Sequence, residues 1–400
     1  MKFSECTADG KLRQPIYLGT RDDKKARDVG RENSSMQKKG ERSREPAKKK
    51  RSTSSVSKST ARRRTYAKRT VDDKTPGKRP ARKTRKISAA SEVVNRLNEI
   101  QAGTESGSLK VSPAATVEVT NLGKVFFPKK KLTKGDLMRY YATVAPFVLP
   151  VMADRPLVLK RFPNGVTAPA FFQQNAGDPP GYVRTETIHT EGGSTNLRIV
   201  GGDLATLLYT VQLGSVSVDP WHSRIQSLDH ADYSIIDLDP GPRAPFSRVR
   251  EVARWAHEVM ESLGLHGAIK TSGSTGLHIY MPLPPNTPNE AATLVAQIVA
   301  TRVAEEHPRV ATIERSVKAR GESTVYVDYL QNIIGKTVAA AYAARANPEA
   351  LVSTPIEWDE LAEDLDPHEF TIETAPDRFA GKGDIWAAQL KKKNSLRALV

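Results

Sequence analysis

The sequence predicts an α+β protein, with mixed β-sheets flanked by helices and a long basic region ahead of the folded part. Three observations predict this. Residues 1–90 hold 29 Lys/Arg and 10 Asp/Glu, a net of +19, while the whole chain of 400 residues carries +16, which leaves −3 for the rest. Beyond the basic region, strand-like and helix-like segments alternate in mixed order without a tidy βαβ repeat. Two short apolar runs, "SIIDLDP" and "TVYVDYL", end in acidic residues.

Stretches such as "KKKRSTSSVSKSTARRRTYAKRT" contain almost no apolar residues and no periodicity. They cannot bury enough surface to offset the entropy of ordering. Residues 1–112 are therefore expected as a disordered basic arm or linker, and residues 113–400 as the folded domain. An arm of this kind contacts nucleic acid through phosphates or serves as a solvated linker. Within it, residues 88–103 can form one short helix, and whether that helix docks is left open. Cys6 is the single cysteine, so neither an intrachain disulfide nor a cysteine zinc cluster is expected. No apolar run reaches the length of a membrane span, and no signal-peptide core stands at the N-terminus. These features together fit a reducing cytoplasm and association with the nucleoid.

The elements follow in order. "TVEVTNLGKVFFP" alternates as a strand does and then turns. Thr133 is placed to cap a helix with Leu137, Tyr140, Tyr141 and Val144 on its apolar side. "PLVLKRF" and "AFFQQN" read as strands, "DLATLLYTVQLG" as a helix, and "YSIIDLDP" as a buried strand entering a turn. A long amphipathic helix carries Val249, Val252, Ala256, Val259 and Leu263 in register. "AIKTSGSTGLHIYMPL" reads as two strands joined by a small-residue turn. Thr287 is expected to cap the next helix, with Pro288 at its first position and Glu290 closing a capping box.

On the strand "SIIDLDP", alternate residues face the same way, about 6.6 Å apart. Asp237 and Asp239 therefore point together while Leu238 faces the core. Two such carboxylates repel each other, and a hard divalent cation, Mg²⁺ or Mn²⁺, removes that cost. The bland alternative is a pair that only caps the turn before Pro240, and glycosyltransferases and haloacid-type phosphatases also use acidic pairs. Asp328 ends the second apolar strand. Three strand-end acids suit a two-metal site for phosphoryl or nucleotidyl transfer, with ions about 3.5–4 Å apart. The "TSGSTGLHI" turn supplies glycines that let backbone N–H groups approach phosphate oxygens, but lacks the Lys-Ser/Thr pair and following helix of a P-loop. His278, alternating with Leu277 and Ile279, is expected on the polar side, as a phosphate donor or a surface residue of a hairpin.

Ten segments, in this order, carry a resemblance: "NLGKVFFP", "TKGDLMRYY", "PLVLKRFPNGV", "FFQQN", "VQLGSVSVDPWHSR", "IIDLDPGP", "KTSGSTGLHIYMPL", "VYVDYLQN", "GKTVAAAYAARA" and "VSTPIEWDEL". From about Val117 to the C-terminus the chain resembles the polymerase domain of bacterial DNA ligase D, of the archaeo-eukaryotic primase superfamily, which also occurs as a separate chain. The resemblance implies a primase-polymerase fold and template-directed addition of ribo- or deoxyribonucleoside triphosphates at DNA ends during end joining.

It also implies roles for particular residues. Asp237 and Asp239 would bind two divalent ions, Mn²⁺ or Mg²⁺, with Asp328 completing the catalytic and metal site. Ser272, His278 and Arg345 would hold the triphosphate. Asn121, Lys124 and Lys134 would take the 5′-phosphate of a recessed DNA end. Lys160, Arg161, Phe171 and Phe172 would lie against the template. No K-x-D-G motif of a nucleotidyl-lysine ligase is evident, so sealing is expected from a separate DNA ligase, with a Ku-type end-binding protein as a further partner.

The chain departs from the pattern in four places. Asp219 stands where a His that helps hold the nucleotide is frequent, and it cannot do the same job. Gln174 stands where Lys is common, Gln331 where Arg is frequent, and "SGSTG" where "SGGKG" is common. These departures bear on nucleotide affinity and sugar choice. They motivate one rival reading, a catalytically weak end-binding module. A primase that starts strands de novo and a metal-dependent nuclease are others.

Overall fold

The computed structural model describes residues 90–189, 195–361 and 364–397 in full, with the backbone of a helix reaching back to Ala81 and of two short strands near the N-terminus. The chain divides into two compact units, residues 1–75 and 76–400. In the first, β1 (Glu5–Cys6) pairs antiparallel with β2 (Leu12–Arg13). The rest of the expected basic arm up to residue 80 lies outside the described residues.

The second unit is an α+β fold, and its packed part begins earlier than residue 113. Helix α1 (Ala81–Ala102) buries Val93, Leu97 and Ile100, whose spacing puts them on one face. A hairpin of β3 (Gly107–Ser112) and β4 (Ala115–Val119) follows, burying Leu109, Val117 and Val119. The short helix left open by the sequence therefore docks, against α2 (Lys134–Met152). Strands β5 (Val125–Phe127) and β6 (Leu132–Thr133) lead into α2. Its expected cap is present: the Thr133 hydroxyl accepts the Asp136 amide, and the Asp136 carboxylate accepts the Thr133 amide in return.

Two sheets position the functional residues. The smaller is antiparallel, in the order β11 (Asp219–Pro220), β7 (Leu157–Arg161), β8 (Phe171–Gln173). Near it in sequence are the hairpin of β9 (Thr185–His189) and β10 (Thr195–Ile199) and helix α3 (Leu204–Gln212).

The larger sheet has six strands in the order β15 (Ala311–Thr312), β16 (Val325–Asp328), β12 (Tyr233–Pro240), β14 (Leu277–Pro282), β13 (Ala268–Thr271), β17 (Pro355–Ile356). Only the β15–β16 pair is parallel. Period-two alternation gives the sheet two different faces. Ile236, Leu238, Ile269, Leu277, Ile279 and Met281 pack with α4 (Phe246–Ser262) and α5 (Asn289–Glu306). Ile235, Ala268 and Tyr280 face the other core, shared with α1, α2 and α3. Burying side chains of this kind contributes about 1.5–3 kcal/mol each, which clamps β12 from both sides. Helices α6 (Ala375–Lys382) and α7 (Ile385–Leu390) close the chain.

Helix α4 buries Val249, Val252, Ala256 and Val259 in the expected register. The start of α5 differs from expectation. Pro288 is its N-cap, without a side-chain cap bond: the Asn289 amide, which a capping Thr287 could take, donates to the Asp229 carbonyl at 3.1 Å, and the Thr287 hydroxyl donates to the Pro284 carbonyl at 2.7 Å.

Candidate active site

Strand β12 carries Asp237 and Asp239 on the face opposite Leu238, as the alternation requires. Its register sets the neighbours. Asp237 pairs with Asp328 on β16 and with His278 on β14, and His278 pairs with Lys270 on β13. Paired residues in an antiparallel ladder point to the same face. The sheet thus lines up Asp328, Asp237, His278 and Lys270 in one lateral row, with Asp239 one step on, opposite Tyr326.

His278 Nε2 lies 3.2 Å from Asp237 Oδ1, but that buried oxygen has no partner aligned for a hydrogen bond. Burial pushes the Asp237 carboxyl up to about 6, with Lys270 and Arg345 pulling the other way. Burial, then the charges of Asp237 and Asp328, push Asp239 up to about 7. Crowded carboxylates and an orphaned buried oxygen form a donor set that fits a hard divalent cation.

Asp328 ends β16 directly opposite Asp237. Its Oδ1 accepts the Leu330 amide at 2.8 Å and the Tyr326 hydroxyl at 3.2 Å, and its Oδ2 accepts Gln331 Nε2 at 2.8 Å. Both oxygens are thus used by its own chain segment. Among the described residues, no three Asp, Glu, His or Cys side chains converge closely enough to hold one ion. Asp237 and Asp239 share one face of β12, and Asp328 lies directly across from Asp237 on β16, with carboxylate lone pairs beyond those its own segment occupies.

The turn between β13 and β14 is held by Ser272. Its Oγ accepts the amides of Ser274 and Gly276, each at 3.1 Å, so it organises the loop from inside and keeps its own proton to donate. Gly273 has φ +69°, and a Cβ there would meet Arg345 Cγ at 2.4 Å. At Gly276 a Cβ would come within 2.2 Å of the Leu238 carbonyl oxygen, between the two aspartates. Only glycine lets these backbones approach so closely. His278 is buried, not on the surface.

Beside the turn lies a pocket of about 130 Å³ lined by Lys160, Phe162, Ser217, Asp219, Gly273, Ser274, Arg345, Ala346 and Asn347. Asn347 Nδ2 donates to the Gly273 carbonyl at 3.0 Å. Lys160 and Arg345 make it cationic, and the bare turn offers backbone groups, a combination suited to phosphates.

Asn121, Lys124 and Lys134 meet at a second place, at the N-terminus of α2. Asn121 adopts φ +52°, and the Lys134 amide donates to the Lys124 carbonyl at 2.8 Å. Lys124 Nζ donates to Asn164 Oδ1 at 2.9 Å, and Lys134 Nζ to Gln212 Oε1 at 3.0 Å. Burial, then the Lys124 charge, lowers Lys134 to about 8. Two lysines at a helix N-terminus are chemistry suited to an anion.

Phe171 and Phe172 are 47% and 66% exposed, so they are not core. Register sets Lys160 opposite Phe172 and Arg161 opposite Phe171, with the cations 5.5 and 5.0 Å from the ring centres. Exposed rings backed by cations are what base stacking uses.

Residues 133–386 match the family model of the LigD primase-polymerase domain. The chain belongs to that family. It is 32% identical over 269 residues to the bifunctional non-homologous end joining protein LigD of Bacillus subtilis (strain 168), covering 67% of this chain and 43% of that protein. It is 34% identical over 279 residues to the multifunctional non-homologous end joining DNA repair protein LigD of Mycobacterium tuberculosis (strain H37Rv), covering 67% and 36%. The chain thus spans less than half the length of these relatives. Among solved structures, the polymerase domain of Mycobacterium tuberculosis ligase D in complex with DNA is similar, with a TM-score of 0.63, 30% identity, and coverage of 70% of this chain and 99% of that one. The expected primase-polymerase fold is therefore borne out.

As a LigD primase-polymerase domain the chain has its own substitutions in the site. Asp219 lines the phosphate-sized pocket, where Ser217 Oγ donates to its Oδ1 at 2.7 Å. Burial raises its carboxyl and the Arg345 charge opposes that. His222, near it in sequence, packs against Tyr233 with ring centres 5.7 Å apart, and burial lowers it to about 3, so it stays neutral. Gln331 props Asp328, and Gln174 Oε1 accepts Arg198 Nη2 at 2.8 Å. Sequence reasoning missed Lys270, Asn164, Gln212 and Asn347. Lys270 stood inside a quoted motif, but its role needs the strand register. The other three come close to their sites only in the folded chain. Among the described residues no helix is long and apolar enough to cross a membrane.

Proposed function

We propose that this chain is a template-directed nucleotidyltransferase that extends a primer at a DNA end, using Mn²⁺ or Mg²⁺ and a ribo- or deoxyribonucleoside triphosphate. The observation that carries this reading is the meeting of Asp237 and Asp239 with the Ser272–His278 turn and the Arg345 pocket on one sheet face. Arg345, His278 and the Ser272 hydroxyl hold the triphosphate, with His278 Nε2 facing Asp237. The two aspartates hold the cations, and Asp328 adds negative charge beside them. Ions bound there supply Lewis-acid chemistry, favouring the primer 3′-oxyanion and neutralising the leaving pyrophosphate. The 3′-oxygen bonds to the α-phosphorus, the bond to the β-phosphate oxygen breaks, pyrophosphate departs, and the hydroxyl proton leaves to water.

Asn121, Lys124 and Lys134 select ends bearing a 5′-phosphate, while Phe171, Phe172, Lys160 and Arg161 take the template strand. The setting we propose is double-strand-break joining, with a Ku-type end-binding protein and a separate DNA ligase as partners. Primer extension on DNA with a 5′-phosphorylated recessed end tests the reading. Extension that vanishes in Asp237→Ala/Asp239→Ala is expected, and full extension by that variant would refute it.

Asp219 supports a second reading, a catalytically weak module that binds and bridges ends. A carboxylate in a phosphate pocket repels the substrate. This reading expects end binding without extension even in Mn²⁺, and extension recovered in Asp219→His.

A further inference from the structure

Lys270 is fully buried on β13, and no role has been assigned to it above. Its Nζ lies 2.6 Å from His278 Nδ1 and donates to Ser353 Oγ at 2.7 Å. Ser353 Oγ spends its own proton on the Thr271 carbonyl at 2.8 Å, so it meets Lys270 only as an acceptor. The Tyr280 ring, 5.6 Å from Nζ, offers its face on a further side. This is a cage built for a donor. Burial, then the Arg345 charge, lowers the Lys270 amine well below its ordinary range, while the Asp237 and Asp219 charges oppose that; the ammonium these carboxylates favour has three hydrogens and no lone pair, so in that form it meets Nδ1 only by donating to it.

We infer that Lys270 is a positioning residue that fixes the His278 proton on Nε2, where it faces Asp237 and the phosphate pocket. The inference rests on the proposed function for the identity of the triphosphate. The opposite tautomer would place a bare Nε2 lone pair 3.2 Å from Asp237 Oδ1, two acceptors with no proton between them. With the proton on Nε2, His278 is a fixed donor that favours the ionised Asp237 and can serve a phosphate oxygen. The same logic holds where a second residue fixes the ring of a ligating or donating histidine. Three strands take part: β13 supplies Lys270, β14 His278 and β12 Asp237, so the tautomer is set by strand register.

The test uses the full chain labelled with ¹⁵N at its eight histidines, with the His278 signal assigned by its loss in His278→Gln. Long-range ¹H–¹⁵N spectra are expected to show His278 protonated at Nε2, with Nδ1 as an acceptor. An Nδ1-protonated His278 in the wild-type chain would overturn the inference, whether or not any variant folds.

In Lys270→Met the tautomer signature is expected to be lost and the ATP dissociation constant in Mn²⁺ to rise about 10–100-fold. Combining Lys270→Met with His278→Gln should add little beyond either change alone, since the two act through one contact. An unchanged tautomer and unchanged ATP affinity in Lys270→Met would also overturn the inference. A wild-type chain that shows the Nε2–H signature but binds no ATP would count against the polymerase reading and leave this one standing.

Discussion

The Tyr141 hydroxyl, on helix α2, accepts the amide of Ala344 at 3.1 Å, one residue before Arg345. The same hydroxyl donates to the Val216 carbonyl at 2.7 Å, three residues before Asp219. One buried oxygen thus ties together the two chain segments that wall the pocket beside the Ser272 turn. Tyr141→Phe would leave a buried amide and a buried carbonyl unpaired, each costing about 1–3 kcal/mol. A lower urea midpoint and a raised KM for nucleotide are expected. A raised midpoint with unchanged KM would show that the tie is not needed.

The raised carboxyls of Asp237 and Asp239 make a prediction about pH. Both bind a proton more tightly folded than unfolded, so their contribution to stability is full below the ordinary carboxylate range. It is lost as pH rises through about 6 to about 7. Without metal, thermal stability should fall across that window, and Asp239→Asn should flatten the fall. Mn²⁺ should raise Tm far more at pH 8 than at pH 5.5, because protons compete for the same oxygens. An equal Mn²⁺ shift at both pH values would count against these ligands.

Lys134, lowered to about 8, must be charged to hold a phosphate. The preference for a 5′-phosphorylated end over a 5′-hydroxyl end should weaken as pH rises from 7 to 9. Lys134→Gln should remove both the preference and its pH dependence. A preference that stays constant in fluorescence-anisotropy titrations over that range would place the phosphate elsewhere.

Phe171 and Phe172 can be truncated without opening a cavity. Phe172→Ala should weaken template-strand binding by about 1–3 kcal/mol, the usual worth of a base stacked on an aromatic ring, and leave Tm unchanged. A large drop in Tm with template affinity intact would make the ring structural.

Residues 1–75 hold 23 Lys/Arg and 10 Asp/Glu. Removing them leaves the second unit whole and should reduce the slope of log affinity against log salt on non-specific DNA, with catalysis retained. An unchanged slope would mean that the segment is a passive linker.

Much of this molecule is legible along the chain wherever the cause is local. Period two alone aligns Asp237 with Asp239, and Thr133 with Asp136 three residues later marks the start of α2. What escapes is what depends on partners far away in sequence. Nothing in "VYVDYLQN" says that the Leu330 amide and Gln331 side chain fold back onto Asp328 and fix its orientation. Lys270 looked like a strand residue until the β13–β14 register set it against His278. The docking of α1 depends on the apolar side of α2, so Val93, Leu97 and Ile100 are a weak signal by themselves. Thr287 shows how a local capping motif can lose to a partner distant in sequence, here the Asp229 carbonyl, which takes the Asn289 amide.

Gly276 has a consequence for engineering. The missing side chain is what allows the start of β14 to lie against the Leu238 carbonyl, so the approach of the turn to the strand that carries both aspartates is set by a residue with no side chain. A saturation library across the turn should therefore leave position 276 blank for anything larger than hydrogen, while the exposed Thr275 beside it accepts a broad range. An active-site inventory that counts only side chains would overlook the position with the least tolerance.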